Sequence, residues 1–253
     1  MKISIVTVAY NSAITIRDTI ESVLSQTFHD IEYIVVDGCS IDDTVKIVKE
    51  YEPLFNGRLR WISEKDEGLY DAMNKGIRMA TGDIVGIINS DDFYHRNDVI
   101  EIIAKAFEDE TVQATFADVR YVNSDNLNKT VRYYSSKNFA PWRFRFGFMP
   151  AHPTFFTYKK YFDEFGFYRL DYKIAADYEL LLRFLYTHKL EYKYLPIDVI
   201  KMRLGGVSTV SLSNYLHNKE NARACKENGI KTSLFLLSLR YVLKVFEFVI
   251  IRK

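Results

Sequence analysis

The chain has 253 residues, 48% of them hydrophobic and 26% charged, a composition that excludes a disordered protein. With 34 Lys+Arg against 33 Asp+Glu the formal charge is +1, which excludes a general binder of nucleic acid. Two cysteines exclude a disulfide framework and a zinc site built from thiolates. The neutrality is uneven. Residues 217–253 hold 8 basic and 3 acidic side chains, a tail of +5, so the rest of the chain carries −4. The opening MKISIVTVAYN lacks the sustained apolar core of a signal peptide, and a cytoplasmic setting is the expectation.

The first third alternates strand and helix signals. Ile3–Ala9 is a β-branched apolar run, as expected of a strand covered on both faces. Ala13–Ser25 has Ile16, Ile20, Val23 and Leu24 at helical spacing. Glu32–Val36 is a second strand, ended by Asp37-Gly38. Ser40 or Asp42 then caps a helix in which Thr44, Ile47, Val48 and Tyr51 share a face. Leu59–Ser63, Tyr70–Met79 and Ile84–Ile88 continue as strand, helix and strand. This order predicts an α/β fold with a mainly parallel sheet between helices, and a ligand site at the carboxyl ends of its strands. Further on, Val99–Phe107 and Ala175–Tyr186 read as helices, and Gln113–Tyr121 and Val199–Leu204 as strands. Residues 123–150 read as irregular.

Three acidic groups fall at predicted strand ends: Asp37, then Asp66, Glu67 and Asp71, then Asp91 and Asp92. Acids favour such turns as caps and Asx-turns. Three clusters on one edge also suit a hard divalent ion, since adjacent carboxylates repel unless neutralised. Neither G-x-G-x-x-G nor G-x-x-x-x-G-K-[ST] is present, which argues against a dinucleotide dehydrogenase or a P-loop enzyme.

Four segments in order, VTVAYN, VVDGCSIDDT, EKDEGLYDAMNKGI and INSDD, resemble the family 2 glycosyltransferases of the GT-A (Rossmann-like) fold. The resemblance spans about residues 1–210 and implies inverting transfer of a sugar from a UDP-sugar. It assigns Asp37 and Tyr10 to the uracil pocket, and Asp66, Gly68, Asp71, Asn74 and Asn89 to the donor. Asp91 becomes the ligand of Mn2+ or Mg2+, assisted by Asp92. Asn89 stands where the family carries an acid. Met73 stands where many relatives carry Arg, with Lys75 as the substitute phosphate contact. A-D-Y-E-L-L-L-R (176–183) resembles the family's E-D-x-x-L-x-x-R, which makes Asp177 the general base and Glu179 the fallback. The same resemblance brings His152 to the acceptor or diphosphate, and Gly205-Gly206-Val207-Ser208 to a loop near the site.

Trp142–Phe148 interleaves Arg with rings, a pattern that suits sugar stacking, a membrane-facing loop or core packing. Leu234–Ile251 is an apolar run with Arg240, Lys244 and Glu247 on one helical face. It suits an amphipathic helix at a membrane interface or one packed on protein. The expected organisation is a glycosyltransferase domain over 1–215, its donor half over 1–95 and its acceptor half over 96–215, followed by a basic, apolar tail over 216–253. The expected role is addition of a hexose or N-acetylhexosamine to a glycan or lipid-linked acceptor in capsule, O-antigen or exopolysaccharide synthesis. A homodimer and contact with the inner face of the cell membrane accompany it. The competing readings are a catalytically silent sugar-nucleotide or glycan binder, and a nucleotidyltransferase.

Overall fold

The structure is a computed structural model, and it describes residues 1–204 and 213–241. Four strands form the parallel half of one sheet: β1 (Ile3–Ala9), β2 (Ile31–Asp37), β3 (Leu59–Ser63) and β4 (Ile84–Ile87), side by side in the order β3-β2-β1-β4. Every residue of β1 and β2 is buried, as a continuous apolar run requires. Alternate side chains feed two cores. Ile3 and Ile5 pack with α1 (Ile16–Leu24), α2 (Thr44–Tyr51) and α4 (Val99–Ala106). Val6 and Val8 pack with α3 (Leu69–Met79) and α6 (Ala176–Leu182). Gly76 lets α3 lie close on β1, because a Cβ there would stand 2.2 Å from Val6 Cγ1.

The second half of the sheet is mixed. β8 (Phe156–Tyr158) runs antiparallel to both β4 and β6 (Ala114–Asn123). β6 pairs in parallel with β9 (Tyr192–Arg203), and the short β5 (Phe93–Tyr94) closes the edge antiparallel to β9. Residues 123–150 are not wholly irregular. Asn126–Tyr134 is a strand, β7, paired with β6, and Pro141–Phe146 winds into a 3-10 turn. β7 escapes the hydrophobic pattern because no residue in it is fully buried. α5 (Lys159–Phe165) follows β8, and α6 continues into a π-helical turn over Arg183–Thr187.

α7 (Ser213–Glu227) packs on α6, with Ala224 and Cys225 fully buried. Residues 234–241 are helical. Arg240 does not face solvent there. It is buried, donating to Gly147 O at 3.0 Å and Asn218 Oδ1 at 2.8 Å, with His217 Nδ1 at 2.9 Å. Lys244, Glu247 and residues 205–208 lie outside the described residues. Among the described residues, no helix is long and apolar enough to cross a membrane.

Candidate active site

The parallel strands end in register, Ala9 opposite Asp37 and Asp37 opposite Ser63. Asp37 is buried at the end of β2. Its carboxylate accepts the Ser40 N–H at 3.0 Å, the Ser63 hydroxyl at 2.6 Å and the Ser40 hydroxyl. A carboxylate has about four acceptor positions, so one remains for a ligand N–H. The loops around it interlock. Asn11 Oδ1 accepts the Ile41 N–H at 3.0 Å, and Ser40 Oγ accepts the Asn11 N–H at 2.7 Å. Asp42, rather than Ser40, steadies the start of α2, taking the Thr44 N–H at 3.0 Å.

Tyr10 lies exposed beside this loop, and Asp66 faces Gly38 so closely that a Cβ on Gly38 would stand 2.5 Å from Asp66 Oδ2. Asp66 Oδ1 accepts the Gly68 N–H at 2.8 Å, and Asp71 Oδ2 accepts the Glu67 N–H at 3.1 Å. Gly68 sits at φ +114, a conformation open chiefly to glycine, so it sets the turn into α3. Thus Tyr10, Asp37, Asp66, Gly68 and Asp71 share one edge.

Two residues of this segment, Asn74 and Lys75, are engaged within the protein. Asn74 is buried with both ends of its amide taken, Nδ2 by Tyr168 O at 2.8 Å and Oδ1 by the Tyr168 N–H at 2.9 Å. It ties α3 to the backbone at Tyr168, and it is buried there. Lys75 is bound to Glu64 at 3.0 Å, Asp71 at 3.3 Å and Lys65 O at 2.7 Å, so it is no free phosphate contact. Met73 is buried in the core under α3.

Asn89, Asp91 and Asp92 follow β4. Burial pushes the carboxyls of Asp91 and Asp92 up, Asp92 further because it is more deeply buried and Asp91 lies beside it. The Asp91 carboxylate makes no hydrogen bond to another described residue, whereas Asp92 Oδ2 accepts Asn89 Nδ2 at 3.3 Å. Asn89 Oδ1 is buried without a partner. Arg203 donates to Asp91 O at 2.5 Å and pairs with Asp18, pinning this loop to β9 and α1. Among the described residues no three of His, Cys, Asp and Glu converge on one point. Two raised carboxylates and an orphaned amide oxygen fit a hard cation that completes its shell with water and phosphate oxygens.

Asp177 lies in the first turn of α6. Its Oδ1 accepts the Tyr178 N–H at 2.8 Å and the Tyr70 hydroxyl at 3.4 Å. Its Oδ2 has no hydrogen-bond partner among the described residues. Tyr70 stacks on Tyr168, with ring centroids 5.8 Å apart, and the Tyr168 hydroxyl lies 2.6 Å from His152 Nε2. Burial lowers the His152 pKa, with Asp177 opposing, which favours a neutral ring. Burial and the Asp177 charge push the Tyr70 hydroxyl up, so it stays a donor.

Glu179 is not a spare base. It is buried in a two-point pair with Arg183, at 3.0 and 2.9 Å. Arg183 also donates to the carbonyls of Gly166 at 2.8 Å and Phe167 at 2.9 Å, fixing the approach to Tyr168. Tyr70 and Tyr168, which the sequence does not single out, link Asp177 to His152. Tyr70 lies within a quoted segment, but nothing in spacing pairs it with residue 177.

Residues 4–170 match the family described as Glycosyl transferase family 2. An uncharacterised glycosyltransferase of Mycobacterium tuberculosis is 34% identical over 184 residues, 72% of this chain and 68% of that one. Staphylococcus aureus TarS 1–349 in complex with UDP-GlcNAc has a similar structure, with a TM-score of 0.71 at 20% identity, covering 94% of this chain and 71% of that one. This chain spans 39% of a longer TarS chain. The mannosyltransferase PcManGT of Pyrobaculum calidifontis, in complex with GDP-Man and Mn2+, has a TM-score of 0.69 at 16% identity, covering 94% and 69%. These likenesses show the GT-A fold. With the sequence match over residues 4–170, the chain belongs to glycosyltransferase family 2, and it is a glycosyltransferase.

Proposed function

We propose that the protein transfers a hexose or N-acetylhexosamine from a UDP-sugar to a glycan or lipid-linked acceptor, with inversion and with a divalent cation. The observation that carries this reading is the open Oδ2 of Asp177, held across from Tyr70 on the segment that also forms the Asp66–Asp71 edge.

Asp37 uses its remaining acceptor position for the uracil N–H, and Tyr10 covers the same ring. Asp66, Gly68, Asp71 and Asn89 line the donor. Asp91, with Asp92, would hold Mn2+ or Mg2+, which would supply positive charge against the leaving diphosphate. The acceptor hydroxyl gives its proton to Asp177 while its oxygen bonds to the anomeric carbon. The bond from that carbon to the diphosphate oxygen breaks, and its electron pair leaves with UDP. One displacement from the opposite face inverts the centre. Holding both partners in line and away from water supplies much of the rate.

The bound UDP-GlcNAc of TarS and the GDP-Man and Mn2+ of PcManGT support a nucleotide-sugar donor and a divalent ion. Synthesis of a surface polysaccharide, a homodimer and contact of residues 234–251 with the inner face of the membrane belong to the same proposal. The test is a thermal-shift screen of nucleoside diphosphates with and without Mn2+. UDP with Mn2+ should stabilise most. Equal stabilisation by GDP, or none by UDP, contradicts the UDP assignment.

A further inference from the structure

We infer that Glu220, on α7, is a positioning residue for the base Asp177. This rests on the reaction proposed above. Glu220 is buried, and its carboxylate accepts three successive backbone N–H groups: Lys173 at 2.9 Å, Ile174 at 3.0 Å and Ala175 at 3.0 Å. These residues form the turn that launches α6, and buried N–H groups in a turn must find partners. No cap side chain serves α6, since its N-cap is Ala175. The partner comes instead from a helix about 45 residues later in the chain. Hydrogen bonds to an ionised carboxylate are roughly twice as strong as neutral ones.

α7 also grips the rest of the turn. Arg223 donates to Asp171 O at 3.1 Å and pairs with its carboxylate. Glu227 accepts Arg169 at 2.6 Å and the Tyr172 hydroxyl at 2.8 Å. Arg240 joins Asn218 and His217 of the same helix to Gly147. The whole segment 169–175 is therefore set against α7, and Asp177 stands two residues beyond it. Where that turn lies decides where Asp177 Oδ2 points. α7, which carries the first residues of the basic, apolar tail, thus holds the turn that precedes α6.

The test compares Glu220→Gln, Asp177→Asn and the double variant by donor turnover, donor KM and stabilisation by UDP. Gln keeps the size but replaces one accepting oxygen with an N–H2 group, which faces the Lys173 N–H even when its oxygen keeps the bonds to Ile174 and Ala175. In the folded variant kcat should fall by about 10- to 100-fold, as misplacement of a reacting group does, with UDP stabilisation unchanged. Glu220→Gln should add nothing in the Asp177→Asn background. A wild-type kcat in Glu220→Gln, or a full further loss in the double variant, overturns the inference. If Glu220→Gln does not fold, Glu220→Asp, which keeps the charge but retracts it, is judged by the same criteria. Full turnover in Asp177→Asn removes the base itself, and this inference with it. Loss in Asp177→Asn but not in Glu220→Gln removes this inference alone.

Discussion

Tyr70 of α3 points its hydroxyl at Asp177 Oδ1 of α6, 3.4 Å away and 107 residues later in the chain. The helix that opens from the Asp66–Asp71 edge therefore touches a carboxylate of α6. The Tyr70 ring is stacked on Tyr168, whose hydroxyl meets His152. Tyr70→Phe keeps the stack and removes the hydrogen bond. The kcat for transfer should fall by about 3- to 10-fold, the value of one hydrogen bond of ordinary strength, while KM for the donor stays the same. A steady-state comparison checks this. A raised donor KM with unchanged kcat would place Tyr70 in donor binding instead.

Gly38 has no room for a side chain, because its Cβ would stand 2.5 Å from Asp66 Oδ2. Gly38→Ala should push Asp66 off the edge and weaken UDP binding by about tenfold, in line with an overpacking cost of roughly 1–3 kcal/mol. Calorimetric titration with UDP measures the change. Unaltered affinity would separate Asp66 from the donor pocket.

Glu32 lies at the opposite, amino-terminal end of the parallel strands, buried among Ser4, Thr81, Lys2 and Arg60. Burial raises its carboxyl, but hydrogen bonds from Ser4, Thr81 and Arg60 outweigh that and hold it down at about 2, against an ordinary 4.5. Its contribution is fully present above pH 4.5 and is lost as the pH falls through about 2. A drop of that size is worth on the order of 3 kcal/mol. Denaturant melts from pH 5 downward should show this loss in the wild type. In Glu32→Gln the loss should be smaller and the stability at neutral pH lower.

The parallel half of the fold was legible because burial on both faces writes itself as apolar runs, seen in Ile3–Ala9 and Ile31–Asp37. The edge that gathers Asp37, Asp66 and Asp71 followed, since Asp37 ends β2 and the other two lie just past β3. The mixed half of the sheet was legible only in part. β7 reads NLNKTVRYY and pairs with β6 through backbone bonds, with little apolar pattern to reveal it. Side-chain roles set by distant partners were hidden altogether. Asn74 matches the donor segment, yet its amide belongs to Tyr168, 94 residues on. Glu179 differs, because its partner Arg183 lies one helical turn away, a spacing visible in the sequence. Arg240 was grouped with Lys244 and Glu247 as a polar stripe, and only packing reveals that it turns inward to Gly147.

The central claim is that Asp177 takes the acceptor proton. Asn at this position can still accept the Tyr178 N–H and the Tyr70 hydroxyl, so the fold should persist. The measurement is UDP release from UDP-sugars, with Mn2+, by wild type and Asp177→Asn. Steady release by the wild type, cut by about 10²- to 10⁴-fold in Asp177→Asn with UDP binding intact, is the predicted result. Equal release by both proteins would contradict it.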